Sequence, residues 1–208
     1  MAYSIDMYDK NGKVVSQIAL NETVFNDSLV NESLIHEYYI LQTSNARNNI
    51  ACVKGRGEVH WTWKKMYKQK GTGWARAGGK QSPIRRWGWV AFGPRGVENY
   101  TKDMPKKAKK LALNGLLTLK AKDNEICALQ DVKFAGPKTK EAVTILKNMW
   151  LSAKKILFVI DQKDENITKS FRNISKVKYL FVDYLNPYDL LHSDKVVFLE
   201  SALKKING

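Results

Sequence analysis

Several features that would narrow the class of this 208-residue chain are scarce or missing. Its two cysteines, Cys52 and Cys127, stand far apart and form no CxxC or Cys/His grouping. We therefore expect idle or buried thiols in a reducing compartment, with no disulfide, metal site or cofactor. The chain has no apolar run of about 18 residues, so no membrane-spanning helix is predicted. Its first residues carry acids and no apolar segment, which is not the pattern of a secretory signal.

Acidic residues are nearly missing from one part of the chain. Residues 51–110 hold 16 of the 35 lysines and arginines but only 3 of the 20 aspartates and glutamates. The net charge of +15 is therefore concentrated there, and the remainder is close to neutral. A block of one sign attracts polyanions, and nucleic acid is the commonest large polyanion in a cell. A merely solvated charged face normally intersperses both signs, so it is the weaker interpretation.

The basic segment, residues 54–95, also lacks a hydrophobic period. Lysine, arginine, glycine and tryptophan crowd it, and its branched aliphatic residues are only Val59, Ile84 and Val90. It therefore offers no face against which a core could close. Structureless loops longer than about 12–15 residues are usually functional or disordered. We interpret the basic segment as an arm that becomes ordered by lying in RNA, because glycine permits close approach to phosphates and arginine stacks on unpaired bases. DNA is the weaker partner, since no helix-turn-helix or zinc finger is visible.

The residues on either side have the patterns of a globular protein. Residues 3–19 predict a strand, a turn at 9–12 and a second strand. Asn26 or Asp27 is a suitable N-cap for a helix that ends near residues 44–45. Thr101 or Asp103 is suited to cap a second helix that enters through Pro105. The apolar stripe predicted for that helix comprises Ala108, Leu111, Ala112, Gly115, Leu116 and Leu119.

Apolar strands then alternate with helical patterns up to the C-terminus. The strands are EICALQDV, KKILFVID, VKYLFVDY and KVVFLE, and the sequences between them suit helices. Strands that are apolar throughout are typical of parallel sheets buried on both faces. The predicted fold class is α/β: a three-layer sandwich with a mostly parallel sheet, plus a long extended basic loop. We expect one globular domain over residues 1–208, interrupted at about residues 46–100 by the arm.

Three patterns that suggest catalysis are weak. Residues 71–73, GTG, resemble a phosphate loop, but Arg76 stands where GxGxxG needs glycine, and the GK[ST] of a P-loop is absent. Acids also follow an apolar strand, at Asp161, Asp164 and Glu165; an active site is one reading, and ordinary acids at a helix N-terminus are the stronger one. The histidines are scattered, at His36, His60 and His192. An enzyme that processes nucleic acid with a basic substrate arm remains the alternative function.

The basic segment resembles a known family. KKMYKQKGTG at residues 64–73, followed by ARAG, KQSPIRR and FGP, is similar to the signature of large-subunit ribosomal protein four, the L-four family. GPKTK at 136–140, DEN at 164–166 and KVVF at 195–198 extend the resemblance over nearly the whole chain. It implies a structural protein of the cytoplasmic ribosome, with no catalytic residue. It also implies that the globular domain lies on the solvent side of the large subunit and that the arm reaches the nascent-peptide exit tunnel.

The resemblance and the charge pattern together give the expected contacts. The partners are large-subunit rRNA, neighbouring large-subunit proteins and the nascent peptide, with no membrane and no DNA. The expected rRNA-binding residues are Lys54, Arg56, Lys64, Lys65, Lys68, Gln69, Lys70, Gly71, Thr72, Gly73, Arg76, Lys80, Arg85, Arg86, Arg95, Lys106 and Lys107. The resemblance further implies a tip at the tunnel wall, close to the site of macrolide antibiotics, formed by Gln69, Lys70, Gly71, Thr72, Gly73 and Trp74.

The tryptophans depart from the family in one consistent way. Glycine is the family's residue at four of the six positions, and a small residue is natural at a fifth, whereas the sixth usually holds arginine. We hypothesise that the codon UGA is read as glycine in the source and was translated here as tryptophan; genuine substitutions that stack on bases are the alternative. The six positions are Trp61, Trp63, Trp74, Trp87, Trp89 and Trp150.

Overall fold

The computed structural model describes residues 3–132, 134–151 and 154–207. Its backbone divides into two compact units. The first, the globular unit, comprises the chain up to Thr43 and from Asp103 onward. The second, the arm unit, is Ser44–Lys102.

A six-stranded sheet runs through the globular unit in the order β2-β1-β3-β6-β4-β5. Among the described strands, only β1 and β2 pair antiparallel, as expected for a hairpin, and the other neighbours are parallel. The α/β class and the mostly parallel sheet are therefore confirmed. The strands are β1 (Ser4–Tyr8), β2 (Val14–Ala19), β3 (Ile126–Leu129), β4 (Ile156–Ile160), β5 (Val177–Phe181) and β6 (Lys195–Leu199).

Six α-helices accompany the strands in the described residues, with 3-10 turns at Asp27–Leu29 and Val182–Tyr184. Within the globular unit, α3 packs against α4, whereas α2 packs beside α5 and the first 3-10 turn. The last helix, α6, contacts three strands of the sheet. The helices are α1 (Glu32–Asn45), α2 (Lys106–Lys122), α3 (Thr139–Asn148), α4 (Glu165–Arg172), α5 (Pro187–His192) and α6 (Glu200–Asn207).

The core of the globular unit lies against its central strands. Every residue of β4 is buried, and so are the last four of β6, which explains why both read as continuous apolar runs. Phe158 on β4 stacks on Phe171 of α4 with ring centroids 4.3 Å apart. Burying one such phenylalanine stabilises the fold by about 1.5–3 kcal/mol. The edge strand β5 is only half-buried, and it contains Lys178 and Tyr179, whereas its neighbour β4 is apolar throughout.

The first helix starts later than predicted. Asn26 caps the 3-10 turn, where its Oδ1 accepts the Ser28 N–H at 3.0 Å. The cap of α1 is Asn31, whose Oδ1 accepts the Leu34 N–H at 3.1 Å. The prediction of Asn26 or Asp27 as the helix cap was therefore wrong. A second Asx residue five positions later competes for the same role, and sequence alone does not rank the two.

The second helix also departs from its prediction. Pro105 is its N-cap residue, and no side chain caps it, so neither Thr101 nor Asp103 has that role. Its buried face comprises Ala112, Gly115, Leu116, Leu117, Thr118 and Ala121, whereas Leu111 is 40% exposed. The backbone at Leu29 lies against this face at Gly115, where an added Cβ would meet the Leu29 carbonyl oxygen at 2.9 Å. The buried face therefore includes Gly115 as predicted but extends to Leu117, Thr118 and Ala121 instead of Leu111. Within the described residues, no helix is both long and apolar enough to span a bilayer.

Candidate nucleic-acid interface

The arm unit is a long ribbon whose two legs run in opposite directions. It contains no helix or extended strand over residues 46–102, all of which are described; only isolated antiparallel bridges join Cys52 to Arg95 and Lys65 to Gly79. Hydrogen bonds between the legs are nested, as in a hairpin. From base to tip they join Asn45 to Lys102, Asn49 to Glu98, Val53 to Pro94, Lys54 to Val90, Met66 to Gly78 and Tyr67 to Ala75.

Gln81 holds the two legs together at mid-length. Its side chain is 3% exposed, and its Nε2 donates to the carbonyl oxygens of Val59, at 3.2 Å, and Trp61. The Gln81 carbonyl oxygen accepts the Trp89 N–H at 3.0 Å. Its Oε1 has no hydrogen-bond partner among the described residues. Sequence reasoning did not single out this residue, because a lone glutamine in a polar segment carries no pattern.

The tip of the ribbon depends on glycine. Gly71 and Gly73 adopt positive φ angles of 78° and 70°, which residues with a Cβ rarely take. No atom lies within 4 Å of an added Cβ at either position, so the backbone there is open to a close-lying partner. The Nζ of Lys65 donates to Gln69, and the Tyr67 hydroxyl donates to the Ala75 carbonyl oxygen. These bonds brace both sides of the tip.

The cations of the arm unit are not neutralised within it. The unit contains 13 lysines and arginines, and no ion pair forms among its residues, every one of which is described. Its two acids serve the backbone: Glu58 accepts the Gly55 N–H at 2.6 Å, and Glu98 accepts the Arg95 N–H at 3.4 Å. Hydrogen bonds from its own N–H and from Arg95 lower the pKa of Glu98. The ribbon therefore presents almost uncompensated positive charge.

The predicted contact residues are accessible almost throughout. Of the 17 named from the sequence, Thr72 and Arg85 are half-buried and the others are exposed. Lys106 and Lys107 belong to the first turn of α2 in the globular unit, whereas the other 15 lie in the arm unit. Trp74, at the predicted tip, is also exposed.

Some cations of the arm unit already stack on its aromatic rings. Four of them lie over a ring of the same unit, in two close and two looser contacts. The pairs are Arg47 over Tyr100 at 4.0 Å, Lys80 over Trp61 at 4.1 Å, Arg56 over Trp63 at 5.4 Å and Arg86 over Trp87 at 5.6 Å. Such contacts stabilise a charged side chain at an exposed site by about 0.5–1 kcal/mol. They orient cations along a ribbon that has no apolar core of its own.

The acids considered for catalysis have structural partners instead. Asp164 caps α4 by accepting the Asn166 N–H at 2.8 Å, which is the stronger of the two readings of its sequence context. Glu165 pairs with Lys169 at 2.8 Å on the same helix. Asp161 pairs with Lys205 at 3.2 Å. Among the described residues, no group of three or more His, Cys, Asp or Glu side chains is placed to hold a metal ion.

An α/β unit joined in one chain to a ribbon of unpaired cations is typical of proteins that bind a polyanion. The chain matches the family model described as "Ribosomal protein L4/L1 family" over residues 18–208, and it belongs to that family. The family is one of ribosomal proteins and not of enzymes, which confirms the expectation that this protein is not an enzyme.

Curated relatives agree with this assignment over nearly their full lengths. The chain is 43% identical over 199 residues to the large ribosomal subunit protein uL4 of Halothermothrix orenii, an alignment that covers 96% of this chain and 94% of that protein. It is 39% identical over 204 residues to the uL4 of Alkaliphilus oremlandii, with 97% and 96% covered. The match to the uL4 of Thermosipho melanesiensis is 37% over 215 residues, with 97% and 96% covered.

Proposed function

We propose that this protein is a structural constituent of the large subunit of the cytoplasmic ribosome and binds large-subunit rRNA through its arm unit. The observation that carries the proposal is the ribbon of Ser44–Lys102, in which 13 cations form no internal ion pair. Repulsion between these like charges destabilises the compact form of the ribbon when it has no partner. A phosphate backbone supplies the missing counter-charge. Membership of a ribosomal protein family supports rRNA as that polyanion.

Different residues of the ribbon would contribute in different ways. Its lysines, such as Lys64 and Lys68, neutralise phosphates and release counterions, which provides affinity without reading sequence. Its arginines, such as Arg76 and Arg86, offer planar guanidinium groups that pair with phosphates or stack on bases. The whole set named from the sequence, including Lys106 and Lys107 at the start of α2, is proposed to contact rRNA.

The tip, residues 69–74, is proposed to reach the wall of the nascent-peptide exit tunnel. This part rests on the family resemblance and on the shape of the segment. Gly71 and Gly73 give a turn with open space around it, and the side chains beside them are polar except for the exposed Trp74. Neighbouring large-subunit proteins and the nascent peptide are the further partners proposed. In the same proposal, the sequence of one globular domain is interrupted at about residues 46–100 by the rRNA-binding arm.

The salt dependence of rRNA binding tests this function. For each phosphate neutralised, the logarithm of the binding constant falls by about 0.7–0.9 per tenfold increase in salt. A full-length variant with glutamine at four cations near the tip therefore loses about 3 from that slope. Its substitutions are Lys64→Gln, Lys65→Gln, Lys68→Gln and Lys70→Gln. The measurement is filter binding to large-subunit rRNA over a salt series.

A matched variant removes four exposed lysines from the globular unit and keeps the arm unit intact. It carries Lys13→Gln, Lys140→Gln, Lys147→Gln and Lys163→Gln, so its net charge equals that of the tip variant. The slope of this control is expected to stay near that of the original chain. Equal losses in the two variants would show that binding follows net charge and not the arm, and would overturn the proposed role of the ribbon.

A further inference from the structure

The globular unit exposes a cluster of three rings between α1 and α5. Tyr188 and His192, one helical turn apart on α5, stack with centroids 4.3 Å apart and planes 27° from parallel. Tyr39 of α1 lies 5.8 Å from Tyr188 and 6.0 Å from His192, with planes within 17° of both. Tyr188 is 38% exposed and His192 is exposed as well. A near-parallel set of rings at the surface is a stacking platform with no partner in the described chain.

The orientation of His192 is fixed by its own helix. Its Nδ1 lies 2.9 Å from the Tyr188 carbonyl oxygen. Because a carbonyl oxygen can only accept, Nδ1 must carry the hydrogen. In the neutral ring Nε2 is then left as an acceptor. The Tyr188 N–H is itself held by Gln42 Oε1 at 3.2 Å, so the platform is braced by hydrogen bonds from both helices.

A cavity of about 260 Å³ adjoins this platform, and His192 forms part of its wall. Its lining includes three lysines, Lys155, Lys176 and Lys178, over an apolar floor that includes Ile156 and Val177. The buried Asp189, the acid in the lining, pairs with Lys178 at 2.5 Å. The cavity therefore carries more positive than negative charge directly beside exposed rings.

We propose that this ring-and-lysine surface binds one unpaired nucleotide of RNA, with its base on the exposed His192 ring, which Tyr188 supports from the other side, and its phosphate at Lys155. Aromatic stacking accepts any base, and nearby cations neutralise the backbone, which is the combination used for single-stranded nucleic acid. A peptide partner would be served by the apolar floor but gives no reason for three lysines around it. The proposal rests on the proposed rRNA-binding function and adds a second, separate contact on the globular unit.

The test measures the affinity of a short RNA for a full-length protein whose arm unit binds RNA more weakly. The background carries the four tip lysines as glutamine, the probe is fluorescein-labelled pentauridylate, and the readout is fluorescence anisotropy. Substituting His192→Ala is expected to weaken binding about tenfold, which is within the range for losing one stacked base. His192→Phe keeps a ring and is expected to retain most of the affinity. Lys155→Gln is expected to weaken binding and to lower its salt dependence by about one phosphate contact.

A matched control makes the same kinds of substitution elsewhere on the globular unit. Tyr184→Ala and Lys140→Gln remove an exposed ring and an exposed lysine away from the cavity, and should leave binding unchanged. Equal affinity for His192→Ala, His192→Phe and the control would overturn the nucleotide site. Loss of a ribosomal protein from subunits that carry His192→Ala, with pentauridylate binding intact, would overturn it in favour of a protein contact. Neither result bears on the salt slope of the arm, so the proposed function is judged separately.

A second inference rests on backbone geometry at α3. This helix ends in a Schellman motif: the Trp150 N–H donates to the Lys147 carbonyl oxygen and the Leu151 N–H to that of Leu146, both at 3.0 Å. Trp150 is the residue in the left-handed region, with φ 57°, where such motifs usually have glycine. Its side chain is 90% exposed, so no burial compensates the strained backbone.

Trp87 repeats the pattern in the arm unit. It is the third residue of a turn closed by the Gly88 N–H and the Arg85 carbonyl oxygen at 2.9 Å, and its φ is 69°. A positive φ at that place in a turn favours glycine. Its side chain is 71% exposed. The other four tryptophans do not have positive φ, so the backbone alone makes no demand at their positions.

We infer that the native protein has glycine at positions 87 and 150, encoded by UGA that its source reads as glycine. Positive φ is uncommon for any residue with a Cβ, and bulky residues need a compensating contact. Trp150 is 90% exposed, and the Trp87 ring has only the loose contact with Arg86 at 5.6 Å. The coding DNA and the tryptic peptides of the native protein test this together. UGA codons with glycine masses at 87 and 150 are expected. UGG codons, or tryptophan masses in the native peptides, would overturn the inference.

Discussion

Replacing Trp150 with glycine should stabilise the protein, although it deletes the largest side chain. Holding a residue with a Cβ in the left-handed region costs roughly 1–2 kcal/mol. Glycine in turn destabilises the folded state by about 0.4–1 kcal/mol, because it makes the unfolded chain more flexible. Because the indole is 90% exposed, its removal loses almost no buried apolar surface. The balance favours Trp150→Gly by about 0.5–1 kcal/mol.

Urea denaturation followed by circular dichroism measures this difference. With a slope near 2 kcal/mol per molar urea, the midpoint should rise by about 0.3–0.5 M at unchanged slope. Trp150→Ala is the decisive control, because it removes the indole but keeps the Cβ and hence the strain. That variant should show no gain in midpoint. A midpoint for Trp150→Gly at or below that of Trp150→Ala would refute the argument from backbone strain at the end of α3.

Two further predictions concern single residues of the globular unit. Gly12→Ala places a Cβ 2.2 Å from the Asn148 carbonyl oxygen at a φ of 76°, so it should lower the free energy of unfolding by about 2 kcal/mol or more. The control Gly136→Ala, with open space around it, should change that free energy by less than about 0.5 kcal/mol. Thermal unfolding compares the two variants, and equal effects would contradict the packing of the β1–β2 turn on α3. Burial raises the pKa of the Cys127 thiol to about 12, whereas Cys52 is exposed. A maleimide should therefore label Cys52 in the folded protein and Cys127 only after unfolding. Rapid labelling of Cys127 under native conditions would contradict this and show that its strand opens readily.

Sequence patterns predicted the sheet well because its signals are strong and local. The continuous apolar runs at β4 and β6 have few alternatives to a buried parallel strand, and Asp164 stands directly before its helix. The helix starts were less determined, since Asn26 and Asn31 are equally good caps and only packing selects between them. Leu111 was misplaced because the buried face of α2 depends on contacts with residues far apart in sequence, such as that of Gly115 with Leu29.

The candidate interface was likewise predicted only in part from the sequence. Charge and composition alone identified the basic segment and its accessible cations, because a block of one sign needs no fold to be recognised. The hydrogen bonds by which Gln81 joins the two legs could not be predicted, since they depend on which carbonyl oxygens the fold brings near its side chain. The stack of Tyr188 and His192 leaves a trace in their spacing of four residues on a helix, but Tyr39 joins it from a distant helix.

Sedimentation of ribosomal subunits tests the central claim most directly. The full-length tagged protein is expressed in bacterial cells, and the large and small subunits are separated on sucrose gradients in high salt. A structural constituent held by many phosphate contacts should remain with the large subunit at about one copy each and be absent from the small subunit. Release from the large subunit at modest salt, or recovery chiefly in the soluble fraction, would contradict the claim that this protein is built into the large subunit through its arm unit.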